Sequence, residues 1–548
     1  MTDVFEICSR YIDEYGELNP TAATSMGVSG YDHLWGDAGP ESVTAWLALA
    51  DRIEAEIDAL PEPKDRFDTL ARRSAKESFA LSREVYVSGA QYRGVSSIVS
   101  GAGSLVGVLD RMPTTTEEEC RNLVSRLSTI DQPMADWRTM LGIGLETDNV
   151  VARRQAEAVI EQCRTWADGF DRFAEVDADL PEDLAEDLLD AVAHAKAAYE
   201  ETADWLQSTY LPNAVDEEAV GIDRYRFESK RYLGTELDLE ETYRWGWSEV
   251  RRLRSEMEAL AEEVQPGIGL DAVMEILKTD PARMAPTREA FLERMTELQV
   301  DAIGRLDGLH FDLPDEIKPL EVKMAPPGGS LGAYYTGPTE DFSRPGTVWY
   351  SPGDKTEFHL YDEVSTAYHE GFPGHHYQGA IATYLTERLS RMHRLVVWYP
   401  GFGEGWALYA EHFMGELGFY DKPDYEIGLR INQIHRACRV AIDIGFHCGF
   451  PIPDDAPFHP AEEWTFDTAV EMLLSYAYLD EAYAESEVTR YFGWPGQAPA
   501  YKVGERVILG LRDQFMAREG ATLKDFHFRV VGSGAVGLDH LAELVLAD

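Results

Sequence analysis

A proline and a glycine interrupt an otherwise helical, histidine-bearing run, Tyr368-His369-Glu370-Gly371-Phe372-Pro373-Gly374-His375-His376-Tyr377, and no continuous helix passes through it unchanged. Proline removes a helical hydrogen bond and clashes with the preceding turn, while the adjoining glycine frees the backbone, so residues 372–374 must bulge out of the helix or break it. On an undistorted helix, at ~100° and ~1.5 Å per residue, His375 points roughly 240° away from His369, and His376 shares its face but lies ~10.5 Å along the axis. If two residues loop out, His375 falls where the second histidine of an H-E-x-x-H helix stands. In that helix two imidazoles one turn apart bind Zn²⁺ and the intervening Glu activates a water as general base. The bulged form is the expectation, with His369 and His375 as metal ligands and Glu370 as base. An outright break at Pro373 would allow His376 to swing inward in place of His375.

A catalytic zinc of this type takes a third protein ligand from a second helix and keeps one position open. Glu404 is the candidate, in Gly403-Glu404-Gly405-Trp406-Ala407-Leu408-Tyr409-Ala410-Glu411, a helix-compatible stretch introduced by Pro400-Gly401-Phe402. Glu411 falls on the same face two turns on and is placed to orient a ligand.

Four strings together, H-E-x-x-P-G-H-H-x-Q from His369, E-G-W-A-x-Y-x-E from Glu404, Arg439-x-x-x-Asp443-x-Gly445-x-His447, and Pro495-Gly496-Gln497-Ala498-x-x-Tyr501-Lys502-x-Gly504, resemble the bacterial "domain of unknown function 885" family. That family is similar to carboxypeptidase Taq-type metallopeptidases, whose corresponding helix reads H-E-x-G-H. Aligning Gly374-His375 with that Gly-His leaves a two-residue insertion here, where helix geometry demands a bulge. The resemblance implies a large helical metallopeptidase-like fold and carboxypeptidase-like chemistry.

With 98 acidic residues against 49 basic, the net charge of −49 repels nucleic acid and anionic membrane surfaces, and neither is an expected partner. The charge is spread along helix surfaces, as in Glu117-Glu118-Glu119, and reads as a solvated coat. Hydrophobic residues at 44% are ample for a substantial core. Five widely separated cysteines without a C-x-x-C suggest neither a disulfide framework nor a thiolate metal site. The N-terminal Met1-Thr2-Asp3-Val4-Phe5-Glu6 has no basic-then-apolar leader, no run approaches the ~20 apolar residues of a membrane span, and a cytoplasmic protein is expected.

Apolar residues at three- and four-residue spacing predict helices over 42–59, 65–87, 116–141, 151–175 and 182–210, with starts at Thr116 and at Asn19-Pro20. Residues 244–254, with Trp245, Trp247 and three arginines, read as a surface helix with an aromatic inner face. From Leu320 the texture changes to short β-branched and aromatic segments bounded by Gly and Pro, a small antiparallel sheet just before the metal helix. Within it Gly332 to Thr336, carrying Tyr334 and Tyr335, is a candidate edge strand for holding an extended peptide by main-chain hydrogen bonds, with His376 a further substrate contact. The chain then returns to helix, where His447, Tyr501 and Arg490, in that order, are candidates for stabilising a developing oxyanion, Arg490 also suiting a substrate carboxylate.

The expected protein is mainly α, a single metallopeptidase-like domain over 1–548 with a helical lobe at 1–319, a catalytic lobe at 320–548, a deep cleft and a small sheet. The expected function is zinc-dependent hydrolysis of short peptides from one end. A cleft that binds metal or peptide without turnover is the second reading, and a helical scaffold with incidental histidines the third. Turnover separates the first two, and metal content the third.

Overall fold

Capping residues set many of the helix starts. Asp3 and Glu6 close a reciprocal capping box on Val4–Leu18, Thr116 and Glu119 do the same for Glu117–Leu127, and Asn19 caps Pro20–Met26, whose first residue is the proline that needs no helical partner. The computed structural model describes residues 3–176, 178–325, 332–351, 353 and 357–547, and the fold is mainly α. The stretch read as one helix over 116–141 is two, Glu117–Leu127 and Asp131–Glu146, and residues 182–210 end in a π turn after Trp205.

Two compact units divide the chain. The first comprises Met1–Glu218 with the inserted segment Ser390–Val397. That segment belongs there because Met392 is buried with Val4, Ile7, Tyr11 and Phe79, and Arg391 pairs with Asp13. The second comprises Ala219–Leu389 and Trp398–Asp548. The boundary therefore falls at Glu218–Ala219 rather than at 319–320. Leu239–Val264 shares a core with Pro423–Cys448, and Arg288–Leu306 packs on Leu320–Met324 and Glu363–Glu370, so neither helix belongs to a separate N-terminal lobe.

The second unit is organised on two long helices, Leu239–Val264 and Pro423–Cys448. Gly246 allows them to touch, since a Cβ there would stand 2.8 Å from Val440. Trp247 is fully buried at this contact, while Arg251, Arg252 and Arg254 pair outward with Asp455, Glu249 and Glu258, so the helix has the aromatic inner face its pattern predicts. The small sheet has the order Leu320–Met324, Gly346–Ser351, Gly332–Thr336. Gly332–Thr336 is antiparallel to the central strand, with Tyr334 opposite Trp349, whereas Leu320–Met324 joins in parallel, so the sheet is mixed. Gly332–Thr336 occupies an edge and packs on the helices that carry the histidines.

Candidate metal centre

The helix carrying His369 runs from Glu363 to Glu370 and stops; a new helix, His375–Tyr384, begins after a join of four residues. The chain thus breaks rather than bulges, through a cis Phe372–Pro373 peptide. The freed backbone groups are taken up locally. Gly374 N–H donates to the Tyr368 carbonyl at 3.1 Å, and Gln299 both accepts from Phe372 N–H at 2.7 Å and donates to the Ala367 carbonyl at 2.8 Å. The Trp406 indole N–H donates to the Pro373 carbonyl at 2.9 Å. A side chain at 374 has no room, because a Cβ would lie 1.9 Å from the His369 carbonyl oxygen.

The break brings His375, not His376, to the centre. His369, His375 and Glu404 present ligand atoms that all lie within 4.8 Å of one another. Glu404 Oε2 is 3.4 Å from His369 Nε2 and 3.3 Å from His375 Nε2, and the two imidazoles stand edge to face with centroids 4.9 Å apart. Glu404 comes from helix Pro400–Glu416. On that helix Glu411, two turns on, accepts from His369 Nδ1–H at 2.6 Å and from the Ser365 hydroxyl at 2.5 Å. This leaves Nε2 of His369 as the nitrogen facing the centre. Gln378 holds the other ring nitrogen of His375 at 3.3 Å.

Burial opposes charge on both imidazoles, but the carboxylates around them outweigh it. His369 is raised to about 10 by Glu404 and Glu411, and His375 is raised by Glu404. Burial likewise opposes charge on Glu404, yet the two imidazoles hold it well below the usual carboxylate range. This donor set favours cations. Proton and divalent ion compete for the same imidazole nitrogens, and two imidazoles with one carboxylate are a usual catalytic zinc set.

Glu370 ends the first helix beside this set. Its carboxylate makes no hydrogen bond to any described residue, and burial pushes its pKa upward against the opposing pull of His375 and His369. Tyr501 begins helix Ala500–Met516, and its ring stacks on that of His369 at 6.5 Å. Burial and then Glu404 raise its pKa, so the hydroxyl keeps its proton, and it too is unbonded among the described residues. Tyr501 and Glu404 are neighbours because Gly405 and Gly504 let the two helices meet backbone to backbone; a Cβ on Gly504 would lie 2.0 Å from the Gly401 carbonyl oxygen.

The other expected site residues are placed elsewhere. His376 is buried, with Nε2 at 2.7 Å from the Ile317 carbonyl and Nδ1 at 3.1 Å from the Tyr335 hydroxyl, and burial lowers it to about 4. It is a neutral structural link, not a substrate contact, and Tyr335 is its partner. Tyr334, on the opposite face of the edge strand, is 44% exposed and stacked on Trp349 at 6.3 Å. His447 does not reach the centre. It lies in the last turn of Pro423–Cys448, fully buried against Tyr225, Phe446 and Phe492, with Nε2 at 3.1 Å from the Tyr491 carbonyl, and burial lowers it to about 4. Arg490 is not free for an oxyanion either, since its guanidinium is spent on both oxygens of Glu487 and on Gln497.

Gln299 and Arg436 carried no signal of their own in the sequence. Gln299 is remote along the chain, whereas Trp406 lay inside the Glu404 string and Arg436 three residues before the recognised Arg439.

Solved structures show the same fold. A candidate lipoprotein from Colwellia psychrerythraea superposes with a TM-score of 0.85 at 22% identity, over 100% of this chain and 99% of that one. A candidate lipoprotein of unknown function from Shewanella oneidensis gives 0.73 at 16% identity, covering 100% of each. Lipoproteins are membrane-anchored, and that description of both neighbours overturns the expectation of a cytoplasmic protein. Among the described residues no helix is long and apolar enough to cross a membrane. No curated protein matches the sequence. Residues 20–545 match the family described as bacterial protein of unknown function (DUF885), and the chain belongs to that family.

Proposed function

We propose that the protein is a zinc-dependent peptidase that trims short peptides from one end, with His369, His375 and Glu404 holding the metal. The observation that carries this reading is the convergence of two imidazoles on one oxygen of Glu404, with Glu411 fixing the tautomer of His369. Ligand imidazoles in metal sites almost always donate their second N–H to such a partner. A zinc ion held there supplies Lewis acidity toward a carbonyl group. The chain's own residues do the rest. Glu370, unbonded and with a raised pKa, takes a proton from the attacking water and passes it to the leaving amine. Tyr501, protonated and free, donates to the oxyanion that develops on the scissile carbonyl. The Gly332–Thr336 edge strand offers main-chain groups to an extended substrate.

The similarity to carboxypeptidase Taq-type enzymes is part of this proposal and favours attack at the carboxyl end. Elemental analysis and a peptide panel test it together. The expected result is about one zinc per chain and cleavage that is lost when both peptide ends are blocked. Absence of a divalent transition metal after metal-supplemented expression removes the zinc assignment, and equal cleavage of doubly blocked peptides removes the exopeptidase one. Zinc without turnover would leave a metal-binding cleft.

A further inference from the structure

We propose that Arg436 and Arg439 form a receptor for the terminal carboxylate of a peptide substrate. The inference rests on the peptidase reading for the reacting group and on independent observations for the receptor.

The two arginines are three residues apart on helix Pro423–Cys448 and so neighbours on one face. Their guanidinium carbons lie 6.0 and 4.7 Å from the centroid of the Tyr501 ring, the ring that stacks on His369. Arg439 is 4% exposed. Its Nε–H donates to the Tyr491 hydroxyl at 3.0 Å and its Nη2 to Glu487 at 2.7 Å, but Nη1 is buried and bonded to nothing among the described residues. Arg436 donates through Nη1 to the backbone and side-chain oxygens of Asn432 and to His435 Nδ1, while its buried Nε has no partner. Among the described residues it pairs with no carboxylate.

Charge points the same way. Glu487 is the carboxylate reached by the hydrogen bonds of both Arg439 and Arg490, and His435 beside it is lowered to about 3, first by burial and then by Arg439, so it is neutral. Among the described residues Glu487 is the one carboxylate hydrogen-bonded to Arg439 and Arg490, and Arg436 has the charge of Glu370 acting on it without a hydrogen bond, while buried charge is costly unless paired. A substrate carboxylate supplies acceptors for the unpartnered Arg439 Nη1 and Arg436 Nε, and the planar guanidinium fork is matched to it. The position fits a chain end. Tyr501 touches both groups, its ring meeting that of His369 at 6.5 Å and the Arg439 guanidinium at 4.7 Å, so a chain end held by the arginines lies on the Tyr501 side of the histidines.

The test uses full-length, zinc-loaded Glu370→Gln protein, so that binding is read without turnover. Calorimetry compares an N-acetylated tripeptide with a free C-terminus, its C-terminal amide, and an amide-ended analogue whose last residue is Asp. The free acid is expected to bind about tenfold or more tightly than the amide, the scale of a charge-assisted pair. Arg436→Met should abolish that preference with zinc content unchanged and the amide's affinity retained. Arg439→Lys, which keeps Glu487 paired, should reduce it. Restored affinity in the Asp analogue would assign the receptor to side-chain as well as terminal carboxylates. Equal binding of acid and amide, no binding of either, or equal weakening of both by Arg436→Met would overturn the proposal. Carboxylate-dependent binding without cleavage by the wild type would remove the peptidase reading and leave the receptor, while cleavage without carboxylate preference would do the reverse.

Discussion

Glu370 stands beside His375, His369, Glu404 and Arg436 and is hydrogen-bonded to none of the described residues, the condition of a carboxylate free to exchange protons. Replacing it by Gln keeps its shape and removes its basicity. Hydrolysis by Glu370→Gln is therefore expected to fall at least ~10²–10⁴-fold with zinc content unchanged, and near-wild-type turnover would exclude Glu370 from the role. The histidines separate in the same way. His375→Ala removes a donor atom facing Glu404, whereas His376→Ala removes a link between Ile317 and Tyr335. Zinc titration should show a far larger loss for His375→Ala, beyond the ~10–100-fold typical of a group that supports a ligand from outside. The reverse ranking would refute the ligand set. His369, Glu370, Glu404 and Glu411 were legible in the sequence because their relations are local, set by one or two helical turns. The placing of His447 away from the centre is not legible in the sequence, for a physical reason: Pro423–Cys448 is buried nearly all round, so no periodicity distinguishes the face that meets the centre.

At the scale of elements, the join between the two histidine helices depends on side chains that reach in from elsewhere. Trp406→Phe keeps an aromatic ring but loses the pyrrole half of the indole and with it the donor to the Pro373 carbonyl. It is expected to cost about 1–3 kcal/mol in denaturant unfolding and to weaken zinc binding as the His375 helix loses its anchor. Unchanged stability would show that water replaces the indole. Asp443, on Pro423–Cys448, ties that helix to the turn after Glu481–Gly493 by accepting from the Tyr225 hydroxyl at 2.6 Å and Gly496 N–H at 2.9 Å. Burial raises it to about 7, against roughly 3.9 in an unfolded chain. The fold thus binds the extra proton, so this group's contribution is fully present below about pH 4 and is lost as pH rises through about 7. The stability difference between wild type and Asp443→Asn should shift over that window, and a pH-independent difference would contradict the assignment. Helix existence was readable from apolar spacing, but the pairing of Gly405 with Gly504 and the parallel strand Leu320–Met324 were not, because both depend on segments remote along the chain.

Across the whole molecule, sequence texture gave the mainly helical class and the strand-rich insertion before the centre, whereas the division of the chain did not follow that change of texture. It follows core membership, which puts the residues from Ala219 with the candidate metal centre and returns Ser390–Val397 to the first unit. The histidines ride on two helices with a four-residue join, while the carboxylate rides on a third. An ion bound by them would be a clasp on three separate struts rather than a bead on a single helical turn. Chelation should then slow amide hydrogen exchange across residues 371–378, between the struts, more than within the long helices already locked in the core. The geometry also uncouples ligand spacing from the 3.6-residue repeat. Relatives with longer or shorter joins can keep the same centre, and a search keyed to a fixed interval between the histidines would pass them over.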